Sequence, residues 1–261
     1  MEINSLGKTD FDILFKAFNQ AFADYEVQQN KAQLQTMLKR RGFDSAFSFG
    51  AFNQGEIVSF TCNGIGDFYG VKTAYDTGTG TLKEYRGKGL ATRIFEYAIP
   101  YLRAVGIRQY LLEVLQHNTG AVSVYRKLGF EVTREFNYFV QENGAVRNEL
   151  KTIDFPCVFR PINIHEYGSI PNFWDFKPSW QNSLEAIGRT PEDFICLGVF
   201  TGGNLIGYCV FDPGSGDVTQ LAVDKNYRRK GIASFLLREM LELNKYESVK
   251  VINTDISCTS I

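Results

Sequence analysis

Two short stretches of this chain hold residues suited to gripping an anion. Tyr85-Arg86-Gly87-Lys88-Gly89-Leu90-Ala91 returns later as Tyr227-Arg228-Arg229-Lys230-Gly231-Ile232-Ala233. Glycine removes the Cβ barrier to a tight bend and lets a ligand approach the backbone. The N–H groups of a following helix's first turn lack internal partners, and the helix dipole favours negative charge there. Arg86 and Lys88, or Arg228, Arg229 and Lys230, add cations at the mouth. A diphosphate suits this arrangement. The phosphate loop Gly-x-x-x-x-Gly-Lys-Ser/Thr does not occur, and Gly87-x-Gly89 is followed by Thr92 where a dinucleotide fingerprint needs its third glycine.

Other chemistries find little support. His117 and His165 are far apart, and Cys62, Cys157, Cys196, Cys209 and Cys258 form no C-x-x-C pair. This reads as reduced thiols in a cytoplasmic protein with no metal site. No Ser-His or Cys-His nucleophile constellation stands out. The net charge of -1 argues against a general nucleic-acid or anionic-membrane surface. No apolar run approaches the length of a membrane span, and Met1-Glu2-Ile3-Asn4-Ser5 does not open a secretory signal. With 44% hydrophobic and 22% charged residues, the chain is an ordinary globular one.

The elements that must position the two loops also recur. Gly50 to Phe60 returns as Gly198 to Tyr208, in the same order relative to the loop, which is the signature of a duplicated domain. Ala46–Phe52 and Ile57–Cys62 read as a hairpin around Asn53-Gln54-Gly55-Glu56, and Ile195–Phe200 and Leu205–Phe211 repeat it. A third strand follows near Val71–Leu82 and near Val218–Val223. Behind each loop comes a helix with one apolar stripe: Leu90, Ile94, Ala98, Leu102 and Val105, then Ile232, Phe235, Leu236, Met240 and Leu243. Pro100 is expected to bend the first. Gln109–Leu115 reads as a strand, Asn118 as an N-cap, Ala121–Leu128 as a short helix closed by Gly129, and Glu131–Val140 as a final strand. Phe11–Ala23 and Ala32–Lys39 look helical, with Ser179–Ile187 a counterpart in the second copy. Phe173, Trp174, Phe176 and Trp180 suggest packing between domains, with a pocket wall as the alternative. The expected class is α/β (α+β), with domains at 1–150 and 151–261.

Arg86-Gly87-Lys88-Gly89-Leu90-Ala91 and Arg228-Arg229-Lys230-Gly231-Ile232-Ala233 both match Gln/Arg-x-x-Gly-x-Gly/Ala, and the first copy adds Leu111-Leu112-Glu113-Val114, Asn118, Ala121, Tyr125 and Leu128-Gly129-Phe130. In this the chain resembles the GNAT superfamily of acetyl-CoA-dependent N-acetyltransferases, in tandem. The resemblance implies two mixed, twisted sheets flanked by helices, each split between its fourth and fifth strands. It implies acetyl-CoA as co-substrate, with backbone at Thr81 and Leu82 along the pantetheine arm. Arg86, Gly87, Lys88, Gly89, Leu90, Ala91 and Thr92 would cradle the diphosphate. Asn118 would bond the cofactor near its thioester, or only cap its helix. Tyr125 would protonate the departing thiolate. The matching second set is Leu221, Ala222, Val223, Arg228, Arg229, Lys230, Gly231, Ile232 and Ala233. Where many members place a carboxylate on strand four, this chain has Tyr75 beside Asp76 in copy one and Asp217 in copy two, so the general base stays open.

The second copy departs from the pattern. Val249–Thr254 is followed by no counterpart of the helix bearing Asn118 and Tyr125, nor of the last strand. It could be a structural partner, a non-catalytic CoA binder, or a catalyst using Ser257 or Ser260. The leading reading is direct acetyl transfer to a primary amine of a small molecule or peptide, in a ternary complex. The alternatives are a CoA-binding regulatory module and a tandem aminoacyl or peptidyl transferase. Neither the acceptor nor the oligomeric state is legible.

Overall fold

A computed structural model describes residues 1–24, 28–146 and 153–258, in two compact units, Met1–Val132 and Thr133–Ile261. In the first, five strands lie in the order β1 (Glu2–Ser5), β2 (Phe49–Asn53), β3 (Glu56–Phe68), β4 (Val71–Thr81) and β5 (Gln109–Leu111). All neighbours are antiparallel except β4 and β5. Helices α1 (Phe11–Ala21) and α2 (Lys31–Arg40) cover one face, where Leu14, Ala17, Leu34 and Leu38 meet Ile57, Phe60 and Cys62. Helix α3 (Leu90–Ala104) covers the other, laying Leu90, Ile94, Ala98 and Leu102 on Phe49, Ala51, Val58 and Ala74. Burial on both faces takes in the polar residues of β3 as well: Ser59, Thr61 and Asn63 are as buried as Phe60 and Cys62. Val105, expected on the α3 stripe, is exposed instead. The helix ends before it: Gly106 takes a positive φ, and Ile107 turns back to donate its N–H to the Leu102 carbonyl.

Helix α4 (Thr119–Lys127) closes the first unit. The strand after it, β6 (Phe136–Glu142), starts later than expected and belongs to the second sheet. That sheet runs β6-β11-β10-β9-β8-β7, with β7 Val158–Pro161, β8 Ile195–Thr201, β9 Asn204–Asp212, β10 Asp217–Val223 and β11 Ser248–Asp255. β6 pairs antiparallel with β11, from Ser248↔Glu142 to Asp255↔Phe136. It is thus the edge strand of the second sheet, although it follows the first copy in the chain. For the same reason the units divide between Val132 and Thr133 rather than near residue 150, and part of the expected boundary region lies outside the described residues.

Helix α6 (Ile232–Leu243) packs Ile232, Leu236 and Met240 on Val199, Ile206 and Val218. The expected helix at Ser179–Ile187 is shorter and later, α5 (Leu184–Arg189), with Ser183 as N-cap accepting from the Ala186 N–H. Phe173 and Trp180 are buried, and the Trp174 indole donates to Tyr208 Oη at 2.7 Å. Phe173 and Trp174 pack in the second unit's own interior. No helix among the described residues is long and apolar enough to cross a membrane.

One close approach matters for the site. The loop after α2 lies against β3 through the bridge Phe43↔Gly64, and a Cβ on Gly64 would overlap the Arg41 carbonyl oxygen. Gly64→Ala is therefore expected to cost about 1–3 kcal/mol by overpacking. A thermal melt should fall by roughly 2–12 °C. An unchanged melt would show that the loop shifts freely.

Candidate active site

The first unit's site begins where two parallel strands part. β4 and β5 pair only at Thr73↔Gln109, Ala74↔Tyr110 and Tyr75↔Leu111. The expected strand Gln109–Leu115 stops at Leu111. One residue further on, β4 carries a bulge: Cys62 faces Gly78 and Asn63 faces Asp76, leaving Thr77 extra. A bulge bends its strand and increases the local twist. This one is held from two sides. Thr77 Oγ1 donates to the Cys62 carbonyl at 3.0 Å, and Arg41 Nη1 donates to the Thr77 carbonyl at 3.0 Å. β4 therefore veers away from β5, and a slot opens beside Asp76.

Tyr125 reaches this point from α4, donating from Oη to Asp76 Oδ2 at 3.1 Å. Asp76 also accepts from Thr79 Oγ1 at 2.8 Å and from the Gly78 N–H at 2.9 Å. Burial pushes its carboxyl up to about 6, against the hydrogen bonds from Thr79, Tyr125 and Gly78 that favour the anion. The Tyr125 ring is fixed by edge contacts to Phe95 and Phe130, with centroids 5.8 and 5.7 Å away. Gly129, at positive φ, allows the chain to double back, so that the Phe130 N–H reaches the Tyr125 carbonyl at 3.0 Å. Leu128-Gly129-Phe130 thus clamps the residue three to five positions before it. Asn118 caps α4, its Oδ1 accepting from the Ala121 N–H at 3.2 Å. Tyr75 is buried beside Glu113, and desolvation and that carboxylate raise its phenol well above the usual range. His117 is exposed on the loop before α4.

The glycine loop lies at the other end of β4. Gly87 and Gly89 adopt φ of 75° and 72°, and a Cβ at either would meet nothing within 4 Å. Gly89 caps α3 with no side-chain acceptor. Among the described residues, no acceptor takes the N–H groups of Gly87, Lys88, Gly89, Leu90, Ala91 or Thr92. Six backbone donors, an open mouth and a helix N-terminus fit a diphosphate. Lys88 lies 4.8 Å over the Tyr85 ring. Two expected contacts are already engaged: the Leu82 N–H donates to Val58, and the Thr81 carbonyl accepts from Arg86 Nε.

The second unit repeats the frame and fills it. β10 and β11 pair at one position, Asp217↔Lys250, and β10 carries a bulge at Thr219. The gap beyond is bridged by Asn182. Its carbonyl accepts from Gln220 Nε2 on β10 at 2.6 Å, and its Nδ2 donates to the Ile252 carbonyl on β11 at 3.1 Å. Tyr208 Oη donates to Gln220 Oε1 at 2.7 Å, and Asn253 Nδ2 to Ser179 Oγ at 2.9 Å. The glycine loop is crowded too. Gly231 is buried where Gly89 is exposed, and Lys230 lies 5.6 Å over the Phe155 ring, itself 5.9 Å from Tyr227. Arg229 holds a φ of 62° at the position Gly87 occupies in the first unit. Leu221 is exposed, Ala222 is partly buried, and the Val223 carbonyl accepts from Arg228 Nε; Ile232 is buried and Ala233 exposed at the start of α6. Asp217 is buried, not a surface carboxylate, and accepts from Thr219 Oγ1 at 3.2 Å. Ser257 bonds Asp255, while Ser260 lies outside the described residues.

A mixed sheet that splits at its parallel pair, with a glycine bend into a helix at the head of the split, defines a class of acyl-transfer fold. The profile of the Acetyltransferase (GNAT) family matches residues 11–130 and again 159–254, and the chain belongs to that family. Spermidine N(1)-acetyltransferase of Escherichia coli (strain K12) is 36% identical over 85 residues, 32% of this chain and 41% of that one. N-alpha-acetyltransferase MAK3 of Arabidopsis thaliana is 30% identical over 103 residues, 39% of this chain and 54% of that one. The chain thus spans about half or less of these relatives. Among solved structures, a tandem GNAT protein from the clavulanic acid biosynthesis pathway covers 98% of this chain and 91% of its own, at 13% identity and a TM-score of 0.70. A GCN5-related N-acetyltransferase from Sphaerobacter thermophilus covers 100% and 88%, at 13% identity and 0.69. The two structures share the tandem fold.

Proposed function

We propose that the first unit is an acetyl-CoA-dependent N-acetyltransferase acting directly on a primary amine in a ternary complex. The observation that carries this reading is the Tyr125–Asp76 hydrogen bond at the point where β4 and β5 part. Bound acetyl-CoA would supply an activated acyl carbonyl, with the Gly87–Thr92 N–H groups holding its diphosphate. An amine with an ordinary pKa near 10.4 is mostly protonated at neutral pH and must lose a proton to attack. Asp76 as a carboxylate takes that proton, directly or through water. Once neutral, its carboxyl becomes a donor to Tyr125 Oη. Tyr125 is then free to turn its own proton to the departing sulfur, and Asp76 restores it. One C–N bond forms and one C–S bond breaks; of the two protons the ammonium nitrogen loses, one reaches sulfur by way of Asp76 and Tyr125 and the other passes to solvent.

The spermidine and N-alpha relatives suggest polyamines and peptide N-termini as first acceptors to try. The unpaired cysteines suit the cytoplasm. The filled slot and crowded loop of the second unit favour a single donor site per chain.

The test is calorimetric titration with acetyl-CoA, followed by thiol release with an amine panel. Wild type and Gly231→Glu should bind one equivalent, and Gly89→Glu none, because its side chain enters the anion cradle. Binding that survives Gly89→Glu would displace the donor site from the first unit. Binding without transfer to any amine would leave a CoA-responsive module.

A further inference from the structure

Arg86 is the first residue of the loop motif, yet all three nitrogens of its guanidinium already have partners inside the first unit. Nε donates to the Thr81 carbonyl at 3.2 Å, at the end of β4. Nη2 donates to the Ala21 carbonyl at 2.9 Å, in the last turn of α1. Nη1 meets Asp24 Oδ2 at 2.9 Å, and Lys83 adds a second cation 3.6 Å from Asp24. The Arg86 hydrogen bond is the main reason the Asp24 carboxyl lies below its usual range.

The second unit repeats this three-way tie. Arg228 Nε donates to the Val223 carbonyl at 3.1 Å, Nη2 to the Phe173 carbonyl at 3.3 Å, and Nη1 meets Asp175 at 3.0 Å. Its partner segment is a single turn, Ile170–Phe173, rather than an α-helix. The tie therefore persists where the element it grips has changed. It also persists where Phe155 crowds the loop and the slot is filled. A group conserved inside one chain under those changes is not maintained by contact with phosphate.

We propose that Arg86 and Asp24 are positioning residues: together they lash the start of the glycine loop to the end of α1, and the backbone N–H groups alone meet the diphosphate. This rests on the first unit being the donor site. The segment following α1 bears Asp24, so one ion pair joins it to the glycine loop.

A double-mutant cycle on acetyl-CoA affinity separates positioning from direct contact. If Arg86 positions, Asp24→Asn and Arg86→Gln each weaken binding by roughly two- to fivefold, the range of an exposed ion pair. The double variant is then no weaker than the worse single variant, and the salt dependence keeps its slope. If Arg86 touches phosphate, Asp24→Asn releases it and binding stays equal or tightens. Arg86→Gln alone then loses affinity, with a shallower salt dependence; that pattern overturns the proposal, as do two variants indistinguishable from wild type. Should wild type bind no acetyl-CoA, the functional reading falls separately. Amide exchange across residues 83–92 then decides the latch: Asp24→Asn accelerates it if the tie holds the loop, and leaves it unchanged if not. Arg228→Gln is the control, and should leave acetyl-CoA affinity untouched.

Discussion

Tyr125→Phe should slow acetyl transfer by about 10²–10⁴-fold, the usual worth of a positioned general acid. The substitution removes one oxygen and little else. The ring keeps its edge contacts to Phe95 and Phe130, and the Phe130 N–H still closes on the residue 125 carbonyl. Asp76 keeps its bonds from Thr79 and Gly78. Acetyl-CoA affinity should stay nearly constant, because the diphosphate cradle is backbone at Gly87 to Thr92. A second effect has a definite sign. The Tyr125 hydroxyl is one of the bonds that lower the Asp76 carboxyl toward its normal range. Its loss should move that carboxyl further up. Steady-state thiol release over pH reads both effects. Turnover equal to wild type would remove Tyr125 from the mechanism.

Much of this arrangement was legible in the residues. The glycine loop, the α3 stripe and the Tyr125 neighbourhood all depend on local spacing, which a sequence displays directly. Asn118 as a helix cap and Gly129 as a helix stop are local in the same way. What stayed hidden depends on pairings between distant residues. Asp76 stands next to Tyr75, and only the extra residue at Thr77 decides which of them faces Tyr125. A bulge leaves no mark in composition or period. Arg86 reads as a phosphate cation because its spacing to Gly89 suggests it, whereas its partners at Ala21 and Asp24 lie some sixty positions away. The strand after α4 was visible as a strand, but strand propensity does not name its neighbour. β6 pairs with β11 across more than a hundred intervening residues, which no local pattern displays. The closed second slot hangs on Asn182, a residue with no motif around it.

Asp76→Asn should remove one limb of the pH profile as well as most of the rate. The Asp76 carboxyl titrates at about 6, raised chiefly by burial. It is neutral below that value and ionised above it. If the ionised form accepts the amine's proton, kcat/KM rises with pH through about 6 and then levels. The acceptor's own deprotonation gives a separate rise near pH 10 for a lysine-type amine, so the two limbs do not merge. Asparagine cannot take the proton. The lower limb should vanish, and the remaining rate should fall by about 10²–10⁴-fold. Stability gives an independent check with its own sign. A carboxyl raised in the folded state favours folding at low pH, and that contribution is lost as pH rises from the ordinary value of 3.8 through about 6. The variant lacks this loss, so its melting temperature should vary less than that of wild type across the same interval. The opposite kinetic profile, with activity falling above pH 6, would mean that the neutral carboxyl is the working form. Asp76 would then be a proton source for Tyr125 from the outset, and the amine would lose its proton elsewhere. Glu113, hydrogen-bonded to the buried Tyr75, is the carboxylate to test next.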